Sequence, residues 1–264
     1  MKILLVGDVV GNPGRRVFKA AVKSLLDQHA VHAVVVNGEN AAAGNGITLA
    51  LADELFKAGA DVITLGDHVW GQKELEPMIA GEKRLLRPLN LPPGVPGQAY
   101  VTVQTALGAF TVVNLMGRVF MNTADCPFRA MDGVLSMLPR NVPIIVDFHA
   151  EATSEKIAMG HYLDGRVAAL FGTHTHVQTS DAMIFPKGTA YITDLGMTGP
   201  CNSVIGREIA PVLKKFITGI PAKFEVASGP SVLEGAILEL DRDSGKALSI
   251  TPYRFREGVD VGCN

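Results

Sequence analysis

The sequence has few of the features that mark a secreted, membrane-spanning or disulfide-stabilised protein. Only three of its 264 residues are cysteine, Cys126, Cys201 and Cys263, and none belongs to a Cys-x-x-Cys pair. This number and spacing indicate neither a disulfide framework nor a zinc knuckle. The apolar run Ile3-Leu4-Leu5-Val6 is too short for a signal-peptide core, and no run reaches transmembrane length. We therefore expect a cytoplasmic protein that spans no membrane.

An excess of charge of either sign is also missing. The chain has 24 Lys and Arg against 26 Asp and Glu, for a formal net charge of -2, and its basic residues are scattered. A surface that follows a long nucleic acid needs clustered basic residues, so we expect a small substrate instead. No linker, internal repeat or low-complexity segment divides the chain. With 47% hydrophobic residues it can bury a substantial core, and we expect one domain over residues 1–264.

What the sequence does contain is five short apolar runs, each followed by polar residues that can bind metal. These polar segments are Gly7-Asp8, Asn37-Gly38-Glu39-Asn40, Gly66-Asp67-His68, Asp147-Phe148-His149 and Gly172-Thr173-His174-Thr175-His176. In open α/β sheets, ligands bind outside the carboxyl ends of the strands. If the runs are strands of such sheets, their polar segments meet at one edge.

The order of predicted elements indicates an α/β fold. Strands at 2–7, 33–37 and 61–65 alternate with helices. The first helix begins near residue 14, and the others span 48–58 and 72–80. This alternation predicts a largely parallel sheet. Residues 98–105 and 110–115 have the pattern of an antiparallel hairpin. Further helices are predicted near 127–138, 152–163 and 208–218, and strands at 143–148, 182–185, 189–193, 231–241 and 246–255. Antiparallel strands late in the chain suggest a second sheet packed on the first, while residues 196–206 are predicted to be a loop.

The polar segments supply seven candidate metal ligands. They are Asp8, Glu39, Asn40, Asp67, His149, His174 and His176, with His68 beside them. Carboxylate, amide and imidazole groups together suit borderline divalent ions such as iron, manganese or zinc. Seven ligands are too many for one tetrahedral site, so we expect two metal ions, with Glu39 bridging them.

The five polar segments together resemble the motifs of the calcineurin-like metallophosphoesterase superfamily, and within it those of the bacterial YmdB-like branch. The resemblance runs essentially from end to end. It implies a four-layer αββα sandwich with the metal site at the carboxyl ends of the strands. By matching motifs it also implies that one metal is held by Asp8, Glu39, Asn40 and His176, and the other by Glu39, Asp67, His149 and His174.

The activity that this resemblance implies is hydrolysis of 2′,3′-cyclic nucleotides to 3′-nucleotides. A hydroxide that bridges the metals would attack phosphorus, and His68 would protonate the departing ribose oxygen. Two positions depart from the superfamily pattern: Val9-Val10 follow Asp8 in place of the usual Asp-x-His, and Asp67 stands where Asn is usual. Two alternatives stay open. One is a phosphomonoesterase or another phosphodiesterase of the same superfamily, and the other is a metal-stabilised signalling protein with vestigial activity.

Other expectations concern residues outside the motifs. Asn114, Arg118 and Phe120 end another strand and are weaker candidates for substrate contact. Lys156 follows His149 closely enough to reach the site, but a lysine on a helix is usually solvated. Iron or manganese are the metals we favour, with zinc as an alternative, and we expect a homo-oligomer as the commonest quaternary state.

Overall fold

The computed structural model describes residues 1–258, so Cys263 and the last residues of the predicted domain lie outside the described part. The strands are β1 (Lys2–Val6), β2 (Asp8–Val9), β3 (Ala33–Asn37), β4 (Val62–Thr64), β5 (Leu85–Leu86), β6 (Tyr100–Thr105), β7 (Gly108–Met116), β8 (Ile144–His149), β9 (Ala169–Thr173), β10 (Met183–Ile184), β11 (Ala190–Ile192), β12 (Met197–Pro200), β13 (Ser231–Leu240) and β14 (Ala247–Arg256). The helices are α1 (Gly11–His29), α2 (Leu49–Ala58), α3 (Leu75–Met78), α4 (Pro127–Met137), α5 (Thr153–Leu163) and α6 (Ile209–Thr218), with a 3-10 turn at Ile79–Gly81. Among these helices, none is both long enough and apolar enough to cross a membrane.

The strands form two sheets. In the first sheet the strand order is β2-β12-β13-β1-β3-β4-β5. Strand β14 is outside this order and also pairs with β13. Strands β1, β3, β4 and β5 are parallel, whereas β13 runs antiparallel to β1 and places Glu239 opposite Lys2. The second sheet has the order β10-β11-β9-β8-β7-β6, with β7, β8, β9 and β11 parallel. Its β6–β7 hairpin is antiparallel, as the sequence predicts.

The two sheets pack face to face, and helices cover the outer face of each. Because side chains alternate along a strand, β1 directs Ile3 and Leu5 toward the second sheet and Leu4 toward α1. Strand β8 does the same, with Ile145 facing the first sheet and Val146 facing the outer helices. Three apolar layers thus separate four layers of structure, which confirms the αββα sandwich.

Two predicted elements differ in the structure. The helix expected at 72–80 is reduced to α3 and the 3-10 turn, since Pro77 lacks the N–H that would bond to the carbonyl of Lys73 in a helix that began at residue 72. The segment 196–206 is not entirely a loop, because β12 pairs with β2 and β13. The glycines and Pro200 of this segment are typical of a loop, and the partners of β12 lie far away in the sequence, so the sequence pattern does not predict this strand.

Candidate metal centre

The eight predicted site residues lie at one edge of the sandwich, where strands of both sheets end. Asp8 follows β1, Glu39 and Asn40 follow β3, and Asp67 and His68 follow β4, so the first sheet supplies the carboxylates, the amide and one imidazole. The second sheet supplies the other histidines, with His149 at the end of β8 and with His174 and His176 after β9. The cluster therefore joins the two sheets at their common edge.

Four of these residues form a compact group. Glu39, Asp67, His149 and His174 each offer one ligand atom, and these atoms all lie within 4.8 Å of one another. His149 Nε2 is 3.2 Å from a carboxylate oxygen of Glu39 and 3.2 Å from one of Asp67. It is 2.9 Å from His174 Nδ1. With metal–nitrogen bonds of about 2.1 Å, neighbouring ligand atoms on a tetrahedral ion lie roughly 3.4 Å apart, so the group fits one cation.

A second group lies on the other side of Glu39. His176 Nε2 is 3.7 Å from Asp8 Oδ1 and 3.2 Å from the Asn40 amide nitrogen, which also donates to Glu39 Oε1 at 2.9 Å. Asp8 Oδ1 is buried and has no hydrogen-bond partner among the described residues. A buried carboxylate oxygen without a partner is costly, and a cation is the partner that such an oxygen fits. Exchanging the two ends of the Asn40 amide would direct its oxygen toward the same point.

Two of the histidines use one ring nitrogen as a hydrogen-bond donor and direct the other into the cluster. His176 Nδ1 donates to the carbonyl oxygen of Ile205 at 2.9 Å, because a carbonyl can only accept, and Nε2 faces Asp8. His174 Nε2 is 3.1 Å from Glu151 Oε2, which leaves Nδ1 facing His149. Histidines that bind metals are oriented in this way by a carbonyl or a carboxylate behind them.

The third histidine is oriented by a buried aspartate whose role is not predicted from the sequence. His149 Nδ1 lies 2.9 Å from the Thr173 hydroxyl, which donates to Asp147 Oδ1 at 2.7 Å. Asp147 also accepts from the Thr64 hydroxyl and from the Asn37 amide. Burial raises the pKa of Asp147 to about 6. Since Asp147 and His149 are two residues apart on β8, strand periodicity places them on the same face, and that was the available signal.

The charged groups of the cluster stabilise one another. Burial alone would raise the pKa of Glu39 and of Asp67, but His149 beside both carboxyls lowers each pKa below its ordinary value. Conversely, burial opposes the charged form of His149, yet the surrounding carboxylates raise its pKa well above the ordinary value. The carboxyl groups are thus held in the ionised form, which is the form that binds metal.

His68 lies at the rim of the cluster, with 37% of its side chain exposed. Its Nδ1 is 3.0 Å from Asn40 Oδ1 and 3.4 Å from Glu39 Oε1. The hydrogen bond with Glu39 raises the pKa of His68. A partly exposed imidazole with a raised pKa is suited to donating a proton to a ligand at the centre.

The backbone around the cluster is tightly constrained. His174 and His176 have positive φ angles, 101° and 64°, in a region that residues other than glycine seldom adopt. At Gly66, a Cβ atom would lie 2.2 Å from Glu39 Oε2 and 2.2 Å from His149 Cδ2. Only glycine at position 66 lets these two side chains approach each other.

The segment at 196–206, for which no role is predicted from the sequence, holds two of the candidate ligands in place. The amide of Asp8 donates to the carbonyl of Gly196 at 3.2 Å, and the amide of Val10 donates to that of Thr198 at 2.9 Å. The carbonyl of Ile205 accepts from His176. The segment thus fixes the backbone of Asp8 and the ring of His176.

The expectations for Lys156 and Asn114 were wrong. Lys156 is fully buried, and its Nζ lies 2.7 Å from Asp194 Oδ2, which also accepts from the amide of Thr175 between the two metal-facing histidines. Helix periodicity could not reveal this ion pair, because Asp194 lies on a distant loop.

Asn114 does not face solvent either: its amide nitrogen donates to the carbonyls of Leu65 and Leu86, both at 2.8 Å. It ties the second sheet to the first.

Replacing Lys156 with methionine is expected to destabilise the protein by about 3–5 kcal/mol, because it leaves the Asp194 carboxylate buried without its counter-charge. Chemical denaturation would measure the loss. Lys57→Met is the matched control, since Lys57 forms an exposed pair with Asp53 and should cost less than about 1 kcal/mol. Equal costs for the two variants would contradict a structural role for the buried pair.

The sequence and structure of this chain are similar to those of known proteins. The model of the YmdB-like protein family matches residues 4–253. A Bacillus subtilis (strain 168) protein named 2′,3′-cyclic-nucleotide 2′-phosphodiesterase is 45% identical over 251 residues, which cover 95% of each chain. The crystal structure of a Mycoplasma pneumoniae protein described as a novel phosphatase is 35% identical and has a TM-score of 0.92, covering 97% of this chain and 93% of that one.

A more distant structure agrees in fold alone. The calcineurin-like phosphoesterase YfkN from Bacillus subtilis is 14% identical, with a TM-score of 0.57 over 97% of this chain and 90% of that one. The four-layer sandwich is thus the one that calcineurin-like phosphoesterases have. Because the family model and the relatives match nearly the whole sequence, the chain belongs to the YmdB-like family.

Proposed function

We propose that this protein is a di-metal phosphodiesterase that hydrolyses 2′,3′-cyclic nucleotides at the 2′ ester and releases 3′-nucleotides. One observation carries the proposal: three histidines each direct one ring nitrogen into a group of buried carboxylates while the other nitrogen is hydrogen-bonded behind it. The name of the Bacillus subtilis relative supports this choice of substrate, and the name of the Mycoplasma protein supports phosphoester hydrolysis in general.

We propose two metal sites that share Glu39. Its Oε1 faces the Asn40 side and its Oε2 faces His149, so one carboxylate can serve both ions. Asp8, Asn40 and His176 would complete the first site, and Asp67, His149 and His174 the second. Iron or manganese suit this mixture of carboxylate and imidazole ligands, with zinc as an alternative.

The residues around these sites have separate tasks in the proposed reaction. When bound, two divalent ions would supply an activated water molecule, coordinate the phosphate oxygens and compensate their negative charge. His68 donates a proton to the ribose 2′ oxygen as its bond to phosphorus breaks. Glu39 orients His68 through Nδ1, and Thr173 with Asp147 orients His149.

We extend the proposal to the setting in which the protein acts. It would act as one domain in the cytoplasm, on small nucleotides and not on long nucleic acids, and it would form a homo-oligomer. The near-neutral charge balance supports the choice of substrate. Self-association is supported by α6, where Phe216 is 80% exposed and Ile217 is 79% exposed.

The proposal is tested by measuring metal content and hydrolysis on the same preparation, loaded separately with iron and with manganese. We expect about two ions per chain and release of a 3′-nucleotide, identified by chromatography against the 2′ isomer. Faster turnover of a simple aryl phosphate monoester would indicate a phosphomonoesterase. Two bound ions without turnover of any phosphoester would indicate that the metals serve structure, and a chain that binds no metal would refute the proposal.

A further inference from the structure

Phe120 belongs to a segment that passes directly beside the metal centre. This segment, Gly117–Asn122, follows the end of β7 and is tied to two of the candidate ligands. The amide of Gly117 donates to the carbonyl of His149 at 2.9 Å, and the side-chain amide of Asn122 contacts the carbonyl of Asp67 at 3.4 Å. Phe120 lies between these two tethers, so the chain carries it past the edge of the cluster.

The part of the segment that precedes Phe120 is fixed by a buried carboxylate. Glu155, on α5, accepts hydrogen bonds from the amide of Arg118 at 3.1 Å and from that of Val119 at 3.2 Å. Gly117 packs so closely that a Cβ atom there would lie 2.6 Å from the Cβ of Ala150. The position of Phe120 is therefore determined by contacts on both sides of it.

Both the backbone conformation and the solvent exposure of Phe120 are unfavourable in the protein without a ligand. Its φ angle is 62°, which is rare for a bulky residue, and its side chain is 89% exposed. The protein thus holds an aromatic ring in solvent on a constrained backbone and gains no burial from it. Such an arrangement is explained if the ring is buried by a ligand at the neighbouring centre.

We propose that Phe120 stacks on the base of the nucleotide while its phosphate lies at the metal centre. This inference rests on the proposed function, because only a substrate with a base gives the ring something to cover. A phenyl face offers dispersion and π contact but no hydrogen bond, so it recognises a base without reading its edge. Phe120 therefore favours nucleotides over base-free cyclic phosphates, and purines over pyrimidines by their larger area.

The test compares 2′,3′-cyclic AMP with methyl ribofuranoside 2′,3′-cyclic phosphate, which has the same ester and no base. For Phe120→Ala, stacking predicts a KM for cyclic AMP that rises about 5- to 150-fold, with little change in kcat. The KM for the base-free substrate should stay the same, and Phe120→Trp should retain the parent KM for cyclic AMP. Val119→Ala is the matched control, because Val119 is the exposed neighbour in the same segment and should alter neither substrate.

Two outcomes of this comparison would overturn the stacking role. An equal loss for both substrates would mean that Phe120 acts through the segment and not through the base, and no loss for either would mean that it does not touch the substrate. If the parent chain turns over neither cyclic phosphate, the proposed function fails by itself. Equilibrium binding of 3′-AMP to the metal-loaded parent and to Phe120→Ala then decides the stacking separately, since equal affinities refute it.

Discussion

Replacing His68 with alanine is expected to lower kcat for 2′,3′-cyclic AMP by about 10²- to 10⁴-fold while both metal ions stay bound. The ribose 2′ oxygen is a poor leaving group and needs a proton as its bond to phosphorus breaks. His68 is partly exposed, and its hydrogen bond with Glu39 raises its pKa. In the proposed assignment it binds no metal, so its removal affects the proton transfer and not the site.

A second substrate makes this test more specific. Bis(p-nitrophenyl) phosphate releases p-nitrophenolate, which departs without protonation, so His68→Ala should lose much less activity on it. Metal content, measured on the same samples, shows whether the centre is intact. His32→Ala serves as the control, because His32 is exposed and precedes β3 at the strand end away from the cluster. Equal losses on the two substrates would remove His68 from the role of proton donor.

Glu39→Gln is expected to have the largest effect on metal binding. Each oxygen of Glu39 faces a different half of the cluster, and glutamine offers neutral atoms in place of both. Ligand binding stabilises a folded protein by RT ln(1 + [L]/Kd), which is about 2.7 kcal/mol at a metal concentration of 100 Kd. We expect metal addition to raise the Tm of the parent chain by several degrees and to raise that of Glu39→Gln much less.

The comparison uses thermal unfolding with and without manganese, together with metal analysis after desalting. Glu225→Gln is the matched control, since Glu225 is an exposed carboxylate paired with Lys223 and should leave the metal-dependent shift unchanged. We expect two ions per chain in that control and at most one in Glu39→Gln. Two retained ions, or an undiminished rise in Tm, would contradict the bridging assignment.

The predictable part of this molecule is the part that short sequence patterns encode. A buried strand followed by an acid or a histidine is a local sequence pattern. Five such patterns were enough to predict that Asp8, Glu39 and His174 lie at one edge of the sheets. The contacts that support these residues join positions far apart in the sequence. Neither the pairing of β12 with β2 nor the burial of Lys156 against Asp194 leaves a periodic pattern, so only the tertiary structure reveals them.

Phe120 shows the same division between local and distant information. Its place after a strand suggested a substrate contact, but its constrained backbone depends on Glu155, which belongs to a helix that begins more than thirty residues later. Asn114, on the strand that precedes Phe120, is predicted to have the same role and instead joins the two sheets. The end of a strand indicates where a side chain lies, and the packing around it determines what that side chain does.

The pairing of β1 with β13 has a consequence for how the protein is made. Lys2 lies opposite Glu239, so β1 gains its antiparallel neighbour only after the long intervening part of the chain and β13 itself have been synthesised. Until then β1 has one open edge, and contacts between such distant residues form slowly. The apolar run at residues 3–6 therefore stays unpaired along one edge until β13 is made, and shortening the chain before β13 should give insoluble protein.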